Sequence, residues 1–132
     1  GGLAFSSLVR WLVPLGERRL VVLGGLLGLL AFGLIVLAGD WRYAVPGAFG
    51  LGIAFYLLHN TVQTKASEVA PDARGTALAL YASAWAVGQA SGVAALGVAV
   101  AYMGYTSAIL SAAIGFALLG FWLRSNMARL HA

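Results

Sequence analysis

The residues best suited to chemistry lie between positions 59 and 64, where an imidazole, two amides and two hydroxyls follow a long apolar stretch. The segment reads His59-Asn-Thr-Val-Gln-Thr64. An imidazole changes charge near neutral pH, and ionisable groups inside apolar segments are typical of functional sites. The pattern suggests a polar lining for a substrate path or a gate, or alternatively interfacial solvation with hydrogen bonds to neighbouring helices. The substrate-path candidates here are Tyr56, His59, Asn60 and Gln63.

A second group of polar and aromatic residues recurs every four positions further along the chain, at Tyr81, Trp85 and Gln89. This spacing places the three side chains along one slightly rotating face of a helix. An aromatic and amide stripe suits the wall of a ligand cavity. It suits an ordinary seam between two helices equally well, because Tyr and Gln find hydrogen-bond partners in either setting.

Other chemistries have little support in the sequence. The HExxH zinc motif, the GxSxG nucleophile elbow and the phosphate-binding loop are absent, and no Ser or Asp is spaced with His59 or His131 to suggest a triad. The chain has no cysteine, which excludes disulfides and thiolate metal sites. We therefore expect no enzyme, no cofactor and no metal site.

The elements that must position these residues are membrane-spanning helices. Hydrophobic residues make up 61% of the 132 positions and charged residues only 9%, far from the composition of a soluble domain. No charge occurs in 20–39, 43–64 or 75–123, and a crossing needs about 20 helical residues. We predict an all-α polytopic membrane protein in which residues 1–19 form the end of a preceding helix and a basic loop. Four antiparallel spans follow, at about 20–38, 43–64, 75–101 and 106–124, with a short tail.

The basic residues predict the orientation of these spans. Of the eight Lys and Arg residues, only Arg42 falls on one side when the loops alternate. The other side receives Arg10, Arg18, Arg19, Lys65, Arg74, Arg124 and Arg129. Such a bias places the 65–74 loop and the C-terminus in the cytoplasm, and we expect a bacterial inner membrane. No span carries a charge near its centre, so proton coupling would require an acidic site elsewhere in the protein, or His59 in its place.

Glycines at helical spacing predict where helices approach closely. Gly24 and Gly28 form one small-xxx-small pair, and Gly88 and Gly92 form another. Small residues let helix backbones come together in lipid. We expect these glycines to pack helices within one subunit, with a dimer interface as the alternative.

Several motifs resemble the C-terminal half of major facilitator superfamily transporters, and the drug/proton antiporter branch most closely. The motifs are the 59–64 segment, Glu68-Val-Ala-Pro-Asp-Ala-Arg-Gly-Thr-Ala77 and Gly88-Gln-Ala-Ser-Gly92. Leu15-Gly-Glu-Arg-Arg-Leu20 is similar to the family's cytoplasmic loop between the eighth and ninth helices, so the four spans would be the ninth to twelfth. Val13-Pro14 replaces the loop's usual Asp-Arg pair. The 88–92 motif also lacks the antiporter proline, which belongs to the fifth helix.

The resemblance covers essentially the whole chain and implies a partial major facilitator fold. The second and third spans would line a central cavity, and the first and fourth would face lipid. The implied function is part of a secondary active transporter that moves a small organic solute or drug by alternating access, coupled to protons. The residues expected to anchor the cytoplasmic gating loops are Gly16, Arg18, Arg19, Pro71 and Arg74.

The partners expected from this function are the lipid bilayer, the N-terminal part of the same transporter, a small-molecule substrate and protons, with no nucleic acid. The alternative from another class is a structural four-helix membrane anchor or complex subunit without transport activity.

Overall fold

A computed structural model describes residues 7, 11–37 and 39–127, and all regular structure within these ranges is helical. The chain forms α1 (Glu17–Leu37), α2 (Ala44–Val69) and α3 (Arg74–Met127). Short 3-10 turns at Val13–Leu15, Trp41–Tyr43 and Pro71–Ala73 precede the three helices in that order. Arg10, Arg129, most of the expected preceding helix and the end of the tail lie outside the described residues.

Each of the three helices is long and apolar enough to cross a membrane. In their most apolar stretches only 28%, 28% and 22% of residues are buried inside the molecule. Large side chains such as Leu37, Trp41 and Tyr102 are 72%, 76% and 87% exposed. An apolar surface of this extent is typical of a protein that contacts lipid or a partner.

The start of α1 is fixed by Gly16, whose positive φ of 80° separates the helix from the Val13–Leu15 turn. The Gly16 carbonyl accepts hydrogen bonds from the backbone N–H groups of Arg19 and Leu20 at 3.1 and 3.2 Å. Glu17 lies in the first turn, where a carboxylate interacts favourably with the helix dipole. For this reason α1 begins at Glu17, earlier than the expected residue 20.

The connection between α2 and α3 is shorter than the sequence pattern predicts. The polar residues from position 65 onward continue α2 to Val69, and only 70–73 separate the helices. Lys65 and Glu68 favour helix, and they pair across one turn with Nζ and Oε2 2.7 Å apart. Pro71 then stops the helix, because a proline disfavours helical geometry at the residue before it. Ala70 accordingly adopts φ −134° and ψ 79°.

The spans expected at 75–101 and 106–124 both fall within α3, which is interrupted at Gly104. Gly104 has φ 79° and ψ 167°, a backbone region that is essentially restricted to glycine. Trp85 before the interruption and Trp122 after it line the same cavity, although they would be more than 50 Å apart on a straight helix. The chain therefore reverses at Gly104, and we call 74–103 the first arm and 105–127 the second arm of α3.

α1 packs against both α2 and the second arm through small residues. A Cβ built on Gly24 would lie 3.0 Å from Leu58 Cγ on α2. Next to Gly24 on α1, Gly25 approaches Gly120 of the second arm so closely that a Cβ on Gly120 would lie 3.0 Å from the Gly25 Cα and 2.6 Å from the Val21 carbonyl oxygen. A small core of Val21, Leu58 and Met127 joins the three elements. The first arm has few internal neighbours, and its residues 82–98 are all exposed.

Candidate functional site

The central feature of the site is a hydrogen-bonded pair between α2 and the first arm. The hydroxyl oxygen of Tyr81 lies 2.8 Å from Nδ1 of His59 and 3.3 Å from the His59 backbone oxygen. One hydroxyl hydrogen cannot be donated to both atoms, so two proton arrangements are available. In one, Tyr81 donates to Nδ1 of a neutral imidazole. In the other, Nδ1–H donates to the hydroxyl oxygen, which donates onward to the carbonyl.

The second arrangement, in which Nδ1–H donates to the Tyr81 hydroxyl oxygen, is also the one that an imidazolium would use, because both of its ring nitrogens carry hydrogen. The contact between Tyr81 and Nδ1 is therefore compatible with hydrogen on Nδ1 as well as with none. In both arrangements, Nδ1 of His59 has a hydrogen-bond partner.

Three further aromatic contacts surround the His59 ring. Phe55 stacks on it with a centroid distance of 4.9 Å and an interplanar angle of 18°. Trp85 approaches it edge-on at 5.7 Å, and the Tyr81 ring is tilted at 5.6 Å. Phe55 is one turn before His59 on α2, and Trp85 is one turn after Tyr81 on the first arm, so helical periodicity brings all four rings together.

This aromatic group forms one wall of a cavity of about 450 Å³, which we call the aromatic cavity. The opposite wall comes from the second arm. The lining residues are Phe55, Leu58, His59, Val62, Tyr81, Ala84, Trp85, Phe116, Leu119, Trp122 and Leu123. A mostly apolar cavity with one or two oriented polar groups is typical of small-molecule sites.

A second cleft of about 360 Å³ lies on the other side of the same wall. It shares Phe55, His59, Tyr81 and Trp85 with the aromatic cavity and adds Tyr56 and Gln63. Asn60 and Gln63 line a third cleft of about 290 Å³ beside Thr64 and Ser67. Gln89 is exposed further along the first arm and belongs to none of these three clefts.

The structure thus brings His59, Tyr81 and Trp85 into direct contact and places Tyr56, Asn60 and Gln63 around them. Sequence reasoning missed Phe55 and the second-arm aromatics Phe116 and Trp122. The sequence could have indicated Phe55, because it lies four residues before His59 and therefore on the same face of the helix. Phe116 and Trp122 had none, because their approach depends on how the second arm packs.

Charged residues gather at one end of the molecule. Nζ of Lys65 lies 2.8 Å from Oε2 of Glu17, which joins the end of α2 to the start of α1. Arg18 and Arg19 line a cavity together with Arg124 from the second arm. Pro71 begins the turn that follows α2, and Arg74 is exposed at the start of α3. Arg42 lies in the turn that joins the opposite ends of α1 and α2.

The two predicted glycine pairs have different surroundings. Gly24 lies against Leu57 and Leu58, and Gly28 lies against the ring of Phe116. Around Gly88 and Gly92 nothing comes within 4 Å of the position of an added Cβ. The first pair is thus in contact inside the chain, and the second faces outward.

The fold and the charge pattern define an all-helical chain with three helices that are long and apolar enough to cross a membrane. Within the described ranges, no three His, Asp or Glu side chains converge on a metal site. No protein-family model, no curated protein and no solved structure matches the chain.

Proposed function

We propose that this chain is part of a secondary active transporter of the major facilitator type, and that it supplies one wall of the substrate path. The observation that carries this proposal is the aromatic cavity, which is lined by the hydrogen-bonded pair of His59 on α2 and Tyr81 on the first arm. Both arms of α3 exceed the roughly 20 residues of a crossing, so α3 crosses twice and the chain spans the membrane four times.

The chemistry of the cavity indicates the class of substrate. Its walls present the rings of Phe55, Tyr81, Trp85, Phe116 and Trp122. Aromatic faces attract organic cations within about 6 Å, and an apolar lining favours a flat, hydrophobic body. The expected substrate is therefore an aromatic, amphipathic solute, and a cationic one in particular.

The His59–Tyr81 pair supports proton coupling, because it accommodates both charge states of the imidazole with its hydrogen bond kept. A cation in the cavity and a proton on His59 would repel each other. Exchange of one for the other would link the movement of substrate to the movement of protons in the opposite direction.

The test is transport by the full-length protein in proteoliposomes, with ethidium as the probe and with or without a pH gradient. We expect gradient-driven uptake that falls at least about tenfold in Trp85→Leu. Ser83→Ala is the matched control, since this exposed hydroxyl bonds only the Ala79 carbonyl of its own helix. Equal uptake by Trp85→Leu and Ser83→Ala would contradict the assignment of the cavity.

A second function, as a non-transporting membrane anchor or complex subunit, is favoured by the outward-facing surface of the first arm. Gly88, Gly92 and Gly97 all face open space there. Under this alternative, the full-length protein would transport no solute under any gradient. It would also purify in fixed ratio with another membrane protein, and Gly92→Leu would disrupt that association.

A further inference from the structure

A second cavity lies at the charged end of the molecule, between the start of α1 and the end of the second arm. Its volume is about 630 Å³. We call it the basic cavity, and its lining residues are Arg18, Arg19, Val22, Leu23, Phe121, Arg124 and Ser125. It shares no residue with the aromatic cavity.

Among the described residues, no carboxylate pairs with the arginines of the basic cavity. Within the described ranges, the ion pairs involve Lys65, Glu17 and Glu68, and none involves the three arginines of the cavity. Glu17 is the acidic residue nearest to Arg18 and Arg19 in the sequence, but its carboxylate is held at 2.8 Å by Lys65. Three exposed arginines therefore line one cavity whose lining holds no carboxylate, and the planar donors of guanidinium groups match phosphate oxygens.

The lining is arranged in two layers. Val22 and Leu23 lie four residues after Arg18 and Arg19 on α1, and Phe121 lies three residues before Arg124 on the second arm. Each apolar residue is therefore about one helical turn, or roughly 5 Å, further into the molecule than its arginine. Leu23 and Phe121 are 43% and 47% exposed, so the apolar layer is open to a ligand.

The arginine layer and the apolar layer together match a ligand with a charged head and an apolar tail. Arg18 and Arg19 lie at the edge of the charge-free run 20–39, and Arg124 ends the charge-free run 75–123. In a bilayer these positions are level with lipid headgroups, whereas Leu23 and Phe121 are level with the upper part of the acyl chains. A free phosphate ion would use only the arginines and leave the apolar layer empty.

We propose that the basic cavity binds an anionic phospholipid of the leaflet on the arginine-rich side, with its phosphate between the three guanidinium groups and an acyl chain against Leu23 and Phe121. The proposal rests on the membrane insertion contained in the proposed function, but it does not depend on transport. Basic pockets between membrane helices commonly bind anionic headgroups.

The experiment measures lipid binding by the full-length protein, delipidated in neutral detergent and analysed by native mass spectrometry. Phosphatidylglycerol is compared with phosphatidylcholine of the same acyl chains. We expect phosphatidylglycerol to bind at least about tenfold more tightly, and Arg18→Gln, Arg19→Gln or Arg124→Gln to weaken it about fivefold each. Arg42→Gln removes the same charge at the opposite end and should leave binding unchanged.

Two further variants distinguish lipid binding from phosphate-ion binding, and a loss of binding from a loss of the fold. Phe121→Ala should weaken phosphatidylglycerol without any change of charge, and Arg124→Lys should keep most of the binding. The proposal would be overturned by equal affinity for the two lipids, or by equal losses in Arg42→Gln and Arg124→Gln. It would also be overturned if sodium phosphate displaced the lipid and sodium chloride of equal ionic strength did not. Transport and lipid binding are measured separately, so loss of one leaves the other standing.

Discussion

The hydroxyl of Tyr81 is the polar side-chain group that joins α2 to the first arm at the aromatic cavity. It satisfies Nδ1 of His59 in an environment of aromatic rings, where an unpaired nitrogen would be costly. Because the hydroxyl both accepts and donates, it can pair with Nδ1 of His59 whether or not that nitrogen carries hydrogen. A phenyl ring at position 81 would keep the packing and lose this function.

For Tyr81→Phe we expect a loss of about 1 kcal/mol in the free energy of unfolding in detergent, which is the usual net contribution of such a hydrogen bond. Reversible unfolding followed by circular dichroism measures it. Ser83→Ala on the same arm provides the comparison and should change stability by a few tenths of a kcal/mol at most. If the two variants lose the same amount, the His59–Tyr81 bond does not stabilise the fold.

Lys65 also links two helices, because it is largely buried between Glu17 of α1 and Glu68 of α2. For Lys65→Met we expect a loss of about 1–2 kcal/mol, since partly buried ion pairs fall between exposed and fully buried ones. A double-mutant cycle with Glu17→Gln isolates the pair. A coupling energy of zero would show that the 2.8 Å contact contributes no stability.

At the scale of the elements, α1 packs against both α2 and the second arm through closely spaced glycines. The charge-free runs predict how long each apolar segment is, and the Gly24–Gly28 spacing indicates one close contact. The sequence does not predict how each helix is rotated about its own axis. These helices are apolar all round, so no stripe of hydrophobic residues indicates which face is buried.

This explains which contacts the sequence could not reveal. The Gly25–Gly120 contact and the approach of Phe116 to the aromatic cavity join residues that are far apart in the chain and depend on helix rotation. The ion pair between Lys65 and Glu17 likewise joins residues that are distant in sequence. His59, Tyr81 and Trp85 were within reach because their polar or aromatic character stands out against an apolar background.

Gly120 allows a test of the contact between α1 and the second arm. Gly120→Ala should destabilise the protein by about 1–3 kcal/mol, because the new methyl group meets the Val21 carbonyl and the Gly25 backbone, which cannot move independently. Unfolding in mixed micelles measures the loss. Gly115→Ala is the matched control on the same arm, where a Cβ meets nothing within 4 Å. This control should be neutral or stabilising, and a similar loss in both variants would contradict the packing.

At the scale of the whole molecule, most of the described charged residues lie at one end of the helices. The basic cavity and the Lys65 ion pairs lie at one end, and Trp41, Arg42 and Tyr43 lie in the turn at the other. A polar end, an apolar middle and an aromatic opposite end match the layers of a bilayer.

The absence of cysteine from the sequence makes this orientation easy to test with single introduced thiols. In intact cells, a membrane-impermeant maleimide should label Trp41→Cys from outside, whereas Asp72→Cys and Ser125→Cys should react only after the cells are permeabilised. If the proposed function is correct, Leu30→Cys, in the middle of α1 and 69% exposed, should stay unlabelled in both conditions because lipid would surround it. Labelling of positions 41 and 72 from the same side would contradict the orientation.

The reversal at Gly104 affects how the protein would be made. No polar peptide separates the two arms of α3, and no charge between residues 75 and 123 would hold either arm at the membrane surface during translation. The arms would leave the insertion machinery together as a helical hairpin rather than one after the other. Until the second arm has emerged from the ribosome, the first arm would have no other part of α3 to pair with in the bilayer.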